Sequence, residues 1–251
     1  MLAEHTLAAY LQALDEGADA LECDVRLTAD GHLVCVHDRR VERTSDGRGV
    51  VSTLELTELH ALDFGSWKDP WREFDDEADD DPGRYRVLTL EALLRAVLDR
   101  GRAVELAVET KHPTRYAGLV EQRLVELLAQ FDLHEARPGD AVQVRAMSFS
   151  WLSLRRLRDR APRLPVVFLM DRVPLRFRDG TLPLGCRVGG AAIPIVRAYP
   201  RFVQRLHSRG NEVHVFTVNL AADIELCLDL GVDAIITDHP ADTLALVQKL
   251  A

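Results

Sequence analysis

The sequence predicts an α/β fold: one parallel sheet covered by helices, of the size of a (β/α)8 (TIM) barrel. Three observations predict it. The chain has 251 residues, close to the typical length of one such barrel. From about residue 90 onward, short apolar runs alternate with amphipathic segments of helical length, the rhythm of strands joined by crossover helices. With 47% hydrophobic and 28% charged residues, the chain can bury a large core and keep a polar surface.

The elements follow in order. Thr6 to Glu16 reads as an amphipathic helix with Leu7, Tyr10, Leu11 and Leu14 on one face and Gly17 as its stop. Ala20 to Leu27 is the first strand, and Asp30-Gly31 turns the chain into an extended run ending at His37. Residues 40–87 break the rhythm with turn residues, short apolar pieces and the acidic run Glu73 to Asp81, and read as an inserted subdomain within a single domain spanning 1–251. The acidic run lacks the spacing of an EF-hand loop and reads as a solvated segment. Trp67 and Trp71 flank Pro70 in the same region. Helices are then expected over Leu90–Leu98, Gly118–Phe131, Trp151–Arg160, Arg201–Arg209, Ala222–Leu230 and Ala241–Leu250. The strands between them are Ala103–Thr110, Ala141–Ser148, Pro165–Met170, Ala191–Val196, Glu212–Val218 and Ala234–Thr237. With the run ending at His37 set aside as a side hairpin, this makes seven parallel strands where a closed barrel needs eight. The first strand is expected upstream of Met1.

The net charge of -9 argues against nucleic acid or an anionic membrane as the main partner. An acidic protein can still bind a phosphate where a metal and a lysine reverse the local sign. No segment has the apolar length of a membrane-spanning helix, and Met1 does not open a signal peptide, so neither stable membrane insertion nor export is expected. The four cysteines, Cys23, Cys35, Cys186 and Cys227, form no CxxC pair and read as buried reduced thiols of a cytoplasmic protein.

Glu22-Cys23-Asp24 carries the most chemistry. On a strand, alternation sends both carboxylates to one face and Leu21, Cys23 and Val25 to the other. The strand beginning at Ala103 repeats the arrangement: Glu105, Ala107, Glu109 and Lys111 share a face that points into the barrel. Glu22, Asp24 and Glu109 together offer three oxygen donors suited to Mg²⁺ or Ca²⁺ rather than zinc. His37, at a strand end, can exchange a proton near neutral pH, and Lys111 can neutralise a phosphoryl oxygen. The competing reading of Glu109 and Lys111 is an internal ion pair that merely closes the barrel.

With these residues in place, the chain resembles the glycerophosphodiester phosphodiesterase family over almost its whole length. Ala3-Glu4-His5-Thr6-Leu7 resembles the family's Pro-Glu-Asn-Thr-Leu, with Ala3 and His5 as the departures. Gly17-Ala18-Asp19 leading to Glu22-Cys23-Asp24-Val25, then Asp30-Gly31, Val36-His37-Asp38 and Arg43-Thr44-Ser45-Asp46-Gly47 continue the match. Glu109-Thr110-Lys111, Ser148-Phe149, Phe216-Thr217-Val218-Asn219 and the block Gly231 to Asp238 complete it. So many blocks in order make the resemblance specific. It implies a TIM barrel with the 40–87 insertion and hydrolysis of small-molecule glycerophosphodiesters to glycerol 3-phosphate and an alcohol. By the same resemblance Glu22, Asp24 and Glu109 hold the divalent cation, and His37 is one of two acid/base histidines. Lys111 contacts the phosphate, Glu4 helps order the catalytic site, and Phe216 stands at a substrate position where tryptophan is common. The family also carries a strand ending His-Arg-Gly just before the Pro-Glu-Asn-Thr block. It coincides with the strand missing from the count, so weak turnover is expected of residues 1–251 alone. A non-catalytic phosphodiester- or metal-binding module, and a phosphodiesterase of the lysophospholipase D kind, are the other readings of the same residues.

Overall fold

A computed structural model of the chain describes residues 2–68, 85–137 and 139–250. Helix α1 (Leu7–Asp15) starts where the Ala9 N–H donates to the Thr6 hydroxyl, and Gly17, at φ 101°, turns the chain out of it. Strand β1 (Ala20–Leu27) follows, and β2 (Leu33–Cys35) folds back antiparallel on it with Val25 facing Cys35, the side hairpin expected from the Asp30-Gly31 turn.

The other strands are β3 (Val104–Thr110), β4 (Val142–Ser148), β5 (Val166–Met170), β6 (Val188–Ala192), β7 (Glu212–Phe216) and β8 (Ala234–Ile235). They form one sheet in the order β2-β1-β3-β4-β5-β6-β7-β8. Every pairing from β1·β3 to β7·β8 is parallel, which gives the seven parallel strands counted in the sequence. Sequential parallel strands with helices between them are the wall of a TIM-type barrel. The helices are α2 (Leu56–His60), α3 (Leu90–Leu98), α4 (Leu119–Gln130), α5 (Trp151–Arg160), α6 (Ile193–Ala198), α7 (Arg201–Ser208), α8 (Ala221–Asp229) and α9 (Pro240–Leu250).

Strand alternation sorts the side chains into two layers. Leu21, Cys23, Leu106, Val108, Val144 and Ala146 pack outward against Leu93, Leu94, Val97, Leu124 and Leu154 of the helices, all in one buried cluster. Burying one such aliphatic side chain contributes about 2 kcal/mol, so this layer supplies most of the folding free energy. The inner face holds a smaller cluster of Met147, Val167, Leu169 and Val188 with Ala107, Phe216 and Ile236 around it. At the N-terminal end of the inner face Arg145 donates to Glu105 at 2.8 Å and to Glu212 at 2.9 Å. There one guanidinium serves two carboxylates, so this end of the lumen is closed by ion pairs.

One expected strand is misplaced. The run Ala191–Val196 is not extended: β6 ends at Ala192 and Ile193–Ala198 is helical, with Pro194 in its first turn. Ile193, Ile195 and Val196 are buried as expected, but so short an apolar run satisfies helix and strand spacing alike. The strand instead uses Gly189 and Gly190, because a Cβ on Gly190 would come 2.5 Å from Leu169 Cδ2 in the packed inner layer.

Within the insertion, Val41, Val51, Leu59, Phe64 and Val87 form a small core of their own together with Val34 and Val36. The Trp67 indole N–H donates to the Phe64 carbonyl at 3.2 Å. Trp71 and the acidic run Glu73 to Asp81 lie outside the described residues. Among the described residues no helix is long and apolar enough to cross a membrane, and all four cysteines are buried and free.

Candidate active site

The register of β1 on β3 builds the centre of the site. Asp24 stands beside Glu109 and Glu22 beside Ala107, so the inward side chains of both strands converge near their C-terminal ends, where barrel chemistry is located. One oxygen each from Glu22, Asp24 and Glu109 lies within 4.8 Å of the others. Lys111 Nζ is 2.9 Å from Asp24 Oδ1 and 3.0 Å from Glu109 Oε2. The remaining Asp24 oxygen, Oδ2, lies 3.1 Å from His5 Nε2, while His5 Nδ1 is 2.6 Å from the Tyr10 hydroxyl.

Three carboxylates against one lysine leave a deficit of positive charge. Burial, then the charge of Asp24, pushes the Glu109 carboxyl up to about 7. Burial followed by Asp24 and Glu109 pushes Glu22 well above the usual carboxylate range. Asp24 is also buried, but His5 and Lys111 hold it below that range. Burial works against the Lys111 charge, and its two carboxylate partners more than restore it. Unlike the closed Glu105–Arg145–Glu212 end, this end is arranged to accept a further cation. Three clustered hard oxygen donors without a sulfur or imidazole quartet suit Mg²⁺ or Ca²⁺.

A second chain of contacts runs along the rim. Past β2, the His37 carbonyl accepts from Arg26 Nε at 3.0 Å and Nη2 at 2.8 Å, which fixes the backbone there. His37 Nδ1 is 2.7 Å from Asp38 Oδ1, and Arg43 Nε donates to Asp38 Oδ2 at 2.6 Å. The same guanidinium grips Glu4 with both terminal nitrogens, at 2.8 and 2.6 Å. Arg43's hydrogen bond holds the Asp38 carboxyl down at about 2 against the pull of burial. A hydrogen-bonded route therefore links Glu4 to His37 through Arg43 and Asp38. Phe216, at the end of β7, borders the inner cluster and meets Phe149 edge-on at 5.8 Å between ring centres.

The geometry thus brings Glu22, Asp24, Glu109 and Lys111 into one cluster and sets Glu4 and His37 at two ends of one hydrogen-bonded chain. Sequence reasoning did not single out two residues of the site. His5 adopts φ 56°, an uncommon left-handed conformation for a side-chain-bearing residue, and its ring meets Asp24. Its only signal was the departure from asparagine inside a matched block. Arg43 lay in another matched block, but nothing local to it points to a partner 39 residues earlier.

Comparison with known proteins agrees with this geometry. The profile of the "Glycerophosphoryl diester phosphodiesterase family" matches residues 1–242. The chain belongs to this family. A Mycobacterium tuberculosis relative named "Probable glycerophosphodiester phosphodiesterase 1" is 45% identical over 242 residues, spanning 96% of this chain and 86% of the relative. The "Glycerophosphodiester phosphodiesterase" of Bacillus subtilis is 33% identical over 242 residues, 94% of this chain and 79% of that protein. Among solved structures, an Oleispira antarctica phosphodiesterase in complex with the product sn-glycerol-3-phosphate superposes with a TM-score of 0.79 at 23% identity, covering 98% of this chain and 92% of that one. At that identity the likeness establishes the shared fold. Within the glycerophosphoryl diester phosphodiesterase family, the carboxylate cluster of this chain occupies the rim where barrel enzymes hold their substrates.

Proposed function

We propose that this protein hydrolyses glycerophosphodiesters to glycerol 3-phosphate and an alcohol, with a divalent cation held by Glu22, Asp24 and Glu109. The observation that carries the reading is the cluster itself: three carboxylates within 4.8 Å, two of them pushed toward protonation, beside a half-buried lysine. Bound there, Mg²⁺ or Ca²⁺ would supply Lewis-acid polarisation of the phosphoryl group. Lys111, anchored between Asp24 and Glu109, places a positive charge where a phosphoryl oxygen gains negative charge. His37 exchanges the proton of the attacking or leaving oxygen through Nε2, since Nδ1 is engaged by Asp38. Asp38 and Arg43 keep that imidazole oriented, and Glu4 braces Arg43. Phe216 and Phe149 offer an apolar wall to the substrate.

The test is release of glycerol 3-phosphate from sn-glycero-3-phosphocholine with Mg²⁺, with Ca²⁺ and with EDTA. Cation-dependent release supports the reading. Binding without turnover would make the protein a binding module. Turnover restricted to lysophospholipids would make it a lysophospholipase D.

A further inference from the structure

A cavity opens beside Lys111. It has a volume of about 160 Å³ and lies between the end of β1, the segment after β2 and the connection from β3 to α4. Arg26, Arg39, Lys111 and Arg115 all line it, with Ser52 and Thr114 as neutral polar partners. Four cationic side chains around one small cavity are unexpected in a protein of net charge -9. Alternation explains part of the placement: Arg26 shares a strand face with Glu22 and Asp24 and continues their row past the carboxylate cluster.

The charges of this cavity are answered unevenly within the molecule. Lys111 is compensated by Asp24 and Glu109. Arg26 spends its donors on the His37 carbonyl, which carries no net charge. Arg39 and Arg115 have no carboxylate within ion-pair distance among the described residues, and Arg115 instead stacks over the Tyr116 ring at 5.6 Å. Burial disfavours the charge of Arg26, the carboxylates of Asp24, Asp38 and Glu109 favour it, and Arg39 adds a smaller like-charge push against it. An oxyanion would answer Arg39 and Arg115 at once, and guanidinium groups are suited to carboxylate and phosphate.

Resting on the proposed phosphodiesterase activity, we propose that this cavity receives a negatively charged group carried by the leaving alcohol, and that Arg39 and Arg115 select such substrates. The scissile phosphate sits at Lys111 and the carboxylate cluster. The neighbouring cavity then takes the next part of the alcohol, and its volume fits one small oxyanion rather than an acyl chain. The favoured substrates are glycerophosphodiesters whose alcohol bears a second phosphate or a carboxylate. Diesters of neutral or cationic alcohols gain nothing from the site.

The test compares four substrates: the glycerophosphodiesters of choline, of glycerol, of glycerol carrying a terminal phosphomonoester, and of glycolate. The two anionic leaving groups should show kcat/KM roughly tenfold above the glycerol diester, mainly through KM, and the choline diester should rank last. Whichever anionic substrate ranks higher identifies the preferred oxyanion. The Arg39→Gln/Arg115→Gln double variant should erase the preference while leaving the choline and glycerol diesters within about twofold of their original rates. Equal kcat/KM for all four, or a preference that survives the double variant, overturns the inference and leaves the activity standing. If no diester is hydrolysed, the activity is refuted instead, and calorimetric binding in EDTA decides the cavity. Tighter binding of the terminal-phosphate diester than of the glycerol diester, lost in the double variant, supports it; equal affinities overturn it.

Discussion

Lys111 Nζ lies 2.9 Å from Asp24 Oδ1 and so ties β3 to β1 at the rim of the sheet. Among the described residues it is the one lysine or arginine in ion-pair contact with the three clustered carboxylates, and this fixes what its loss should do. In Lys111→Met the phosphoryl oxygen loses a preorganised positive charge, and kcat/KM for sn-glycero-3-phosphocholine is expected to fall by about 10²–10³. Steady-state kinetics at saturating Mg²⁺ or Ca²⁺ checks it; a loss below threefold would remove Lys111 from the chemistry.

A cation that binds the folded cluster must also stabilise the fold. At one hundred times its Kd, a ligand adds about 2.7 kcal/mol. For a chain of this size that corresponds to a rise in Tm of roughly 5–10 °C. The variant Glu22→Gln/Asp24→Asn/Glu109→Gln should show almost no rise. Its starting Tm also reflects the loss of both Lys111 ion pairs, so the rise and not the starting Tm is compared. Differential scanning fluorimetry with and without Mg²⁺ or Ca²⁺ separates these outcomes. Equal rises in both proteins would place the bound ion elsewhere.

Away from the site, Glu121 of α4 has no exposed surface and faces His112 Nε2 at 3.2 Å and Arg156 Nη1 at 3.4 Å. Burial raises its pKa, but the His112 imidazole, its own backbone N–H and Ser153 outweigh burial and bring the carboxyl down to about 2 from 4.5. The folded pKa is depressed, so the stabilisation is complete above pH 4.5 and is lost as pH falls toward 2. The gap corresponds to on the order of 3 kcal/mol. Glu121→Gln should therefore be less stable at pH 7 and show a shallower decline between pH 4.5 and 3. Urea unfolding at several pH values measures both slopes, and parallel acid limbs would rule out this carboxyl as their source.

Most of the fold was legible because apolar periodicity and turn chemistry agree along the chain. Thr6 capping α1, Gly17 ending it and Asp30-Gly31 turning β1 into β2 are local signals with local causes. The cluster of Glu22, Asp24, Glu109 and Lys111 was equally legible, since strand parity alone sends each side chain inward. His5 and Arg43 were not, because their partners are set by backbone conformation and loop folding that no spacing rule encodes. The strand at β6 was misplaced for a packing reason: its glycines look like loop residues until Leu169 is seen against them.

That packing reason makes its own prediction. Gly190→Ala puts a methyl group 2.5 Å from Leu169 Cδ2 in the inner layer, so Leu169 or the strand must shift. A loss of about 1–3 kcal/mol is expected. Pairing it with Leu169→Val, which makes room, should recover part of the loss in chemical denaturation. No recovery would show that the strain comes from the backbone rather than from this contact.

Arg43 offers the sharpest test of the rim. Its planar fork meets Glu4 with two nitrogens and Asp38 with the third, and Asp38 in turn engages His37 Nδ1. Lysine keeps the charge but has neither the plane nor the reach to hold both carboxylates. If Arg43 acts by orienting the imidazole, Arg43→Lys should lower kcat by about tenfold or more with little change in KM, and should change the pH–rate profile. Glu4→Gln, which weakens one side of the fork, should show the same pattern at smaller amplitude. If the role were only to pin the insertion to the barrel, both variants would lower Tm while kcat and the pH profile of the folded enzyme stayed unchanged. Kinetics below the melting range, read beside thermal melts of the same samples, tells the two apart.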